Sequence, residues 1–202
     1  MKRYEVLNCL LCNSPLDEGV TWKTLLSNRF PRTICLHCEE KFEPCETESR
    51  ESLISLYKYN DDMKGYLHRY KFMHDVLLAK VFRHQIQQQL SKKKEIIVPI
   101  PMHHAKLKER TFAHIDELLN EANIPYVHYL KKITTETQAG KTREERLNAP
   151  QIFALKENQD PGNKEFILVD DIYTTGTTIN QAKRILLDAG AKSVKAFTLI
   201  RG

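Results

Sequence analysis

The densest chemistry in the chain lies in ten consecutive residues: Val169, Asp170, Asp171, Ile172, Tyr173, Thr174, Thr175, Gly176, Thr177 and Thr178. Adjacent carboxylates can accept hydrogen bonds from vicinal hydroxyls, the pattern a ribose presents. The threonines offer hydroxyls and successive backbone N–H groups, and a helix starting near Ile179 would aim its amino end at the same spot, a ready anion site. Gly176 lets backbone approach a phosphate where a side chain would obstruct it. Capping a helix needs only one Ser, Thr or Asp. Two acids followed by five small or hydroxylated residues exceed that need, and a phosphorylated ribose accounts for acids and anion site together.

A second chemistry belongs to cysteine. Four of the five cysteines stand as Cys9-x-x-Cys12 and Cys35-x-x-Cys38. A two-residue gap turns both thiolates of a pair onto one metal, and two pairs close a Zn2+ tetrahedron with no open position for catalysis, so the ion is expected to be structural. Residues 1–45 are short and polar, and bound zinc would supply folding free energy that a small core lacks. Disulfides are disfavoured in a reducing cytosol, and a redox pair would want a strand–helix–strand setting that this segment does not offer. Cys45 falls outside the spacing and reads as a spare buried thiol, and His37 as a bystander.

These residues need elements to position them. Residues 166–169 are a continuous apolar run suited to a strand buried on both faces. Asp170 and Asp171 would then emerge at its carboxyl end, where open α/β sheets gather their ligands. Residues 96–101, β-branched and stopped by prolines, predict another strand, as do 125–130 and 194–200. Helical spacing predicts helices over 106–122 and 179–189, and two more across 63–89 with a break near His74 and Asp75. Strands alternating with helices predict an α/β fold with a parallel, doubly wound sheet flanked by helices. The division expected is a zinc module over 1–45 and a ribose-phosphate domain over 46–202. The polar stretch 134–162 is too long for an ordinary connection and reads as a working loop.

With 202 residues, 41% of them hydrophobic and 28% charged, the chain can bury a core, and no apolar run approaches the ~18 residues a membrane span needs. Its first residues do not lead into a secretory signal, so a cytoplasmic location is expected. A net charge of +5 suits an acidic partner without requiring one. Lys71, Arg110, Arg143 and Arg146, with Lys141, could neutralise a diphosphate or a nucleic-acid backbone. Gly140, Lys141 and Thr142 imitate a triphosphatase loop, but Thr135 stands where that loop needs glycine. Tyr57, Tyr59, Tyr66, Tyr70 and Phe72, interleaved with Lys58, Lys64, Arg69 and Lys71, fit either a single-strand stacking surface or core aromatics beside a solvated basic face, the second reading being preferred. His103, His104 and His114 have no partner at catalytic or ligand spacing and are assigned no role.

Residues 166–178 resemble the phosphoribosyl-diphosphate (PRPP) motif of type I phosphoribosyltransferases. Tyr70-Lys71-Phe72 followed by Asp75, and Gln138-Ala139-Gly140 with Arg143, Arg146, Asn148 and Phe153, extend the likeness. With the four-cysteine module, the whole chain resembles the ComF family of late competence proteins. That resemblance implies a type I phosphoribosyltransferase-like domain with PRPP or a related phosphoribosyl ligand at Asp170, Asp171, Thr174, Thr175, Gly176, Thr177 and Thr178. Mg2+ would accompany the diphosphate, as hard oxygen donors favour. It further implies a competence factor for natural transformation, assisting cytoplasmic import of single-stranded DNA beside a ComFA-like translocating ATPase, at the inner face of the membrane through such partners. The rival is an active phosphoribosyltransferase of nucleotide or amine metabolism, in which the same acids position the ribose and the arginines stabilise departing diphosphate. The family usually has Arg-Gly-Phe-Asn-Gln where this chain has Arg110-Thr111-Phe112-Ala113-His114, so Arg110 and Phe112 are kept and the glycine and asparagine are replaced.

Overall fold

A continuous apolar run can be a strand only where both its faces are covered, and Phe166, Ile167, Leu168 and Val169 lie inside such a sheet. The computed structural model describes residues 6–16, 30–46, 52–133 and 152–202. Its strands are β1 (Leu53–Lys58), β2 (Ile96–Pro99), β3 (Leu130–Lys132), β4 (Phe153–Leu155), β5 (Glu165–Tyr173) and β6 (Ser193–Arg201). Its helices are α1 (Leu36–Glu39), α2 (Asp61–Phe72), α3 (Arg83–Leu90), α4 (His104–Arg110), α5 (His114–Glu121) and α6 (Thr177–Asp188), with a 3-10 helix at Val76–Lys80. Four strands pair in the order β1-β6-β5-β2, all parallel, while β3 and β4 form a separate antiparallel pair.

Alternation along the strands feeds two cores. Ile167 and Val169 of β5, with Ile97, Phe197 and Leu199, meet α2, α3 and α5 through Tyr66, Tyr70, Ile86, Ile115 and Leu119. Phe166 and Leu168, with Val98 and Ala196, meet α6 and the β3–β4 pair through Ile179, Leu186, Leu130 and Phe153. The expected α/β sheet flanked by helices is therefore the observed fold.

Several elements differ from expectation. β1, the outer strand beside β6, was not read from sequence, because Leu53, Ile54, Ser55 and Leu56 are only half-buried and make no clear alternation. The helix expected over 106–122 is two helices, parted where Thr111 takes φ +69 and its N–H closes on Leu107 O at 2.8 Å. The strand expected over 125–130 begins only at Leu130. The residues before it run beside β2 on one bond, Val127 N–H to Ile97 O at 2.9 Å, since Asn123 turns at φ +54 and Pro125 has no N–H to give. The break near His74 is present, with φ +57 there, but the chain resumes as the 3-10 helix before α3.

The cysteine-bearing segment packs directly on the sheet domain. Cys9, Ile34, Cys38 and Phe42 share a buried cluster with Tyr57, Met63, Tyr66 and Phe82. Cys45 N–H donates to Leu56 O, and Lys58 N–H donates to Glu43 O, along the outer edge of β1. The Arg69 guanidinium donates to Leu10 O and Leu11 O at 2.9 and 3.0 Å. No helix among the described residues is long and apolar enough to cross a membrane.

Candidate functional site

β2 ends opposite Val169, whereas β6 accompanies β5 as far as Tyr173 opposite Arg201. Asp170 and Asp171 thus lie inside the strand rather than beyond it, with a sheet neighbour on one side only. Successive strand positions face opposite ways, yet Asp170 Oδ1 turns back to accept the Asp171 N–H at 2.9 Å. Both carboxylates and the His114 ring consequently lie within 4.8 Å of one another.

Asp171 is 4% exposed and is neutralised inside the protein. Lys71, from the last turn of α2, forms an ion pair with Asp171 Oδ2, and His114 Nε2 faces the same oxygen at 3.6 Å. Lys71 is therefore an interior partner rather than the solvated side chain its sequence context offered. Arg110 Nη1 lies 2.9 Å from His114 Nδ1. A guanidinium can only donate, so Nδ1 accepts. Burial, reinforced by Lys71 and Arg110, holds the imidazole well below its ordinary value. His114 is accordingly neutral with its proton on Nε2, toward Asp171. Giving His114 no role is thus corrected: its separation from Asp171 in sequence hid the contact, and only the i,i+4 spacing to Arg110 hinted at it.

Around the acids the charge is positive. Burial pulls Lys71 down to about 8 against the attraction of Asp170, and lowers Lys132 likewise, with Lys106 adding repulsion to both. Burial also pushes the Asp170 carboxyl up to about 7, while Lys71 and Lys132 pull it back. Lys71, Lys106, Arg110 and Lys132 make a cationic wall against two carboxylates, a surplus that an anion with several charges would complete. Sequence reading missed Lys106 and Lys132, because they come from α4 and β3 and share no spacing with the acids. Arg143 and Arg146 lie outside the described residues, as does the Gly140-Lys141-Thr142 run.

Past β5 the chain turns through Thr174 and Thr175, both exposed, and enters α6 at Gly176, where φ is +75. The left-handed conformation favours glycine, and a Cβ there would run into the Tyr173 phenol. Thr175 Oγ1 and Thr177 Oγ1 pair at 2.9 Å. Thr177 and Thr178 open the helix, so its free N–H groups and the hydroxyls share one end.

Of the aromatic run, Tyr57, Tyr66 and Tyr70 are core residues, and the Tyr70 hydroxyl donates to His114 O at 2.6 Å. Tyr59 and Phe72 alone of that group are exposed. His103 caps α4, its Nδ1 accepting the Ala105 N–H at 3.2 Å.

Cys9, Cys12, Cys35 and Cys38 converge, all four Sγ atoms lying within 4.8 Å of one another and Cys12 Sγ 3.7 Å from Cys35 Sγ. A tetrahedron of thiolates about 2.3 Å from a central ion has edges of about 3.8 Å, so the cluster fits a metal ion. The Ser14 hydroxyl, 3.1 Å from Cys12 Sγ, and the Ser14 amide hold that thiol down at about 6. Burial pushes Cys38 up, which a bound cation would reverse. Cys45 is half-buried and stands apart from the four.

The phosphoribosyl transferase domain family matches residues 79–202. The chain is 34% identical to competence protein ComFC of Bacillus subtilis, across 96% of this chain and 95% of that protein. It is 33% identical to competence protein ComFC of Streptococcus pneumoniae, across 96% of this chain and 100% of that one. Competence protein F of Haemophilus influenzae is 27% identical over 82% of this chain and 78% of its own length. A buried strand carrying paired acids, a threonine-rich helix entry and a four-cysteine cluster, joined with 33–34% identity to these proteins over 96% of the chain, make it a member of the ComF family of competence proteins, built on a phosphoribosyltransferase domain.

Proposed function

We propose that this protein is a cytoplasmic competence factor that binds PRPP or a related phosphoribosyl ligand and assists the import of single-stranded DNA in natural transformation. The observation that carries the ligand reading is the positive surplus that Lys106, Arg110 and Lys132 make around Asp170 and the Lys71-paired Asp171 within β5. The ribose hydroxyls pair with the acids, the 5′-phosphate sits on Thr174, Thr175, Gly176, Thr177 and Thr178 at the head of α6, and the diphosphate meets the cations. Mg2+ accompanies the diphosphate through hard oxygen donors. Zn2+ on Cys9, Cys12, Cys35 and Cys38 holds a module of residues 1–45 against the ligand-binding domain of 46–202. A ComFA-like ATPase drives the strand and keeps the protein near the inner face of the membrane. Arg143 and Arg146 belong to the surface that meets diphosphate or DNA.

The test is calorimetric titration with PRPP, with and without Mg2+, on the wild type and on Asp170→Ala with Asp171→Ala. The wild type is expected to bind and the double variant not to, with circular dichroism reporting that it remains folded. Undiminished affinity in the double variant overturns the placement. Diphosphate release with a defined base or amine as acceptor would make the protein a transferase instead.

A further inference from the structure

The solvent side of α2 carries Lys64, His68 and Phe72 at four-residue intervals, which aligns them on one stripe of the helix. Phe72 is 65% exposed, although the other aromatic residues of this helix, Tyr66 and Tyr70, are buried. Two side chains approach its ring. The His68 ring lies 5.7 Å away, tilted by 35°, and the Arg110 guanidinium lies 5.9 Å from the ring centroid. Lys71, the preceding residue, points inward to Asp171, and Arg110 lies near both the ring and His114. Beyond it Met73, Val76 and Leu77 are exposed as well.

We propose that Phe72, with the His68 ring and the Arg110 guanidinium beside it, is a stacking platform for a base of single-stranded nucleic acid. The proposal rests on the single-strand part of the function above and names the surface that takes the strand. An aromatic face accepts any base, and a guanidinium beside it adds attraction of its own. Charge decides for nucleic acid over a protein groove: Arg110 and His68 stand beside the ring and Lys64 two turns back on the same stripe, a track of basic groups that a phosphate backbone complements. Tyr57, Tyr66 and Tyr70 are buried, and of the two exposed rings of the run, Tyr59 and Phe72, it is Phe72 that has the Arg110 guanidinium beside it, so the stacking falls to Phe72.

The experiment compares a fluorescently labelled oligodeoxythymidylate with an abasic strand of equal length, read by anisotropy at low salt. The wild type is expected to bind the base-bearing strand about tenfold tighter than the abasic one. Phe72→Ala should lower the first affinity to the second and leave PRPP affinity unchanged. Phe72→Trp, in a Trp22→Phe background, should keep the affinity and lose indole emission as the strand binds. Equal wild-type affinity for the two strands, or an unweakened Phe72→Ala, overturns the platform while the single-strand reading stands. No binding by the wild type overturns both and turns the surface through Met73, Val76 and Leu77 toward a protein partner.

Discussion

Asp170 is the residue whose charge the fold resists most visibly. Desolvation pushes its carboxyl up to about 7, with Lys71 and Lys132 opposing, so the folded chain holds this proton more tightly than the unfolded chain does. The contribution to stability is therefore fully present below the unfolded value of about 4 and is lost as pH rises through about 7. Lys71, drawn down to about 8, runs the other way: its contribution is present above the ordinary lysine value and lost as pH falls through about 8. Between pH about 4 and about 7 it is protonated folded or unfolded, so that window belongs to Asp170. Asp170→Asn keeps the shape and removes the titration. Urea unfolding across that window should find the variant gaining on the wild type as pH rises, with a slope approaching about 1.4 kcal/mol per pH unit. Any pH dependence from the cysteine cluster is common to both proteins and cancels. A difference that stays flat with pH would reject the account.

At the scale of elements, the turn between α4 and α5 carries a strained residue. Thr111 ends α4 at φ +69, and a β-branched side chain in the left-handed region costs about 1–2 kcal/mol relative to glycine's ease there. Thr111→Gly should raise stability by about 1 kcal/mol, part of the gain being offset by the freer unfolded chain, and raise Tm by about 2–4 °C. Calorimetry would check it, and a lowered Tm would mean that the threonine side chain contributes something the backbone does not reveal. The same turn marks the limit of sequence reading. Leu107, Phe112, Ile115, Leu118 and Leu119 keep helical spacing across the break, although only α5 turns its apolar residues inward and Leu107 of α4 is exposed, so periodicity alone joined the two helices. β5 was legible because four consecutive buried residues admit little else, and the cysteine pairs because ligand spacing is local. Lys106, His114 and Lys132 were not legible as one site, since α4, α5 and β3 meet Asp170 and Asp171 only through tertiary packing.

For the whole molecule, the decisive feature is that the cysteine segment shares its core with the sheet domain. Phe42, four residues past Cys38, has its ring 5.0 Å from Phe82, 6.0 Å from Tyr57 and 6.3 Å from Tyr66. Residues 43–45 bond along β1, so they also cover an edge that would otherwise expose unpaired backbone groups. If Zn2+ holds the four thiolates, stripping it does more than release a polar tail. Phe42 loses its anchorage, the aromatic cluster loses a wall, and β1 loses its outer partner. Chelation is therefore expected to lower the melting temperature of the entire chain in one transition, and Cys35→Ser to act in the same direction. Phe42→Ala with the metal retained isolates the packing share, about 3 kcal/mol for a buried phenylalanine. Calorimetry of metal-loaded and chelated protein, alongside metal analysis, separates the alternatives. A chelated protein whose sheet domain melts unchanged would mean that the module and the domain fold independently despite their shared core.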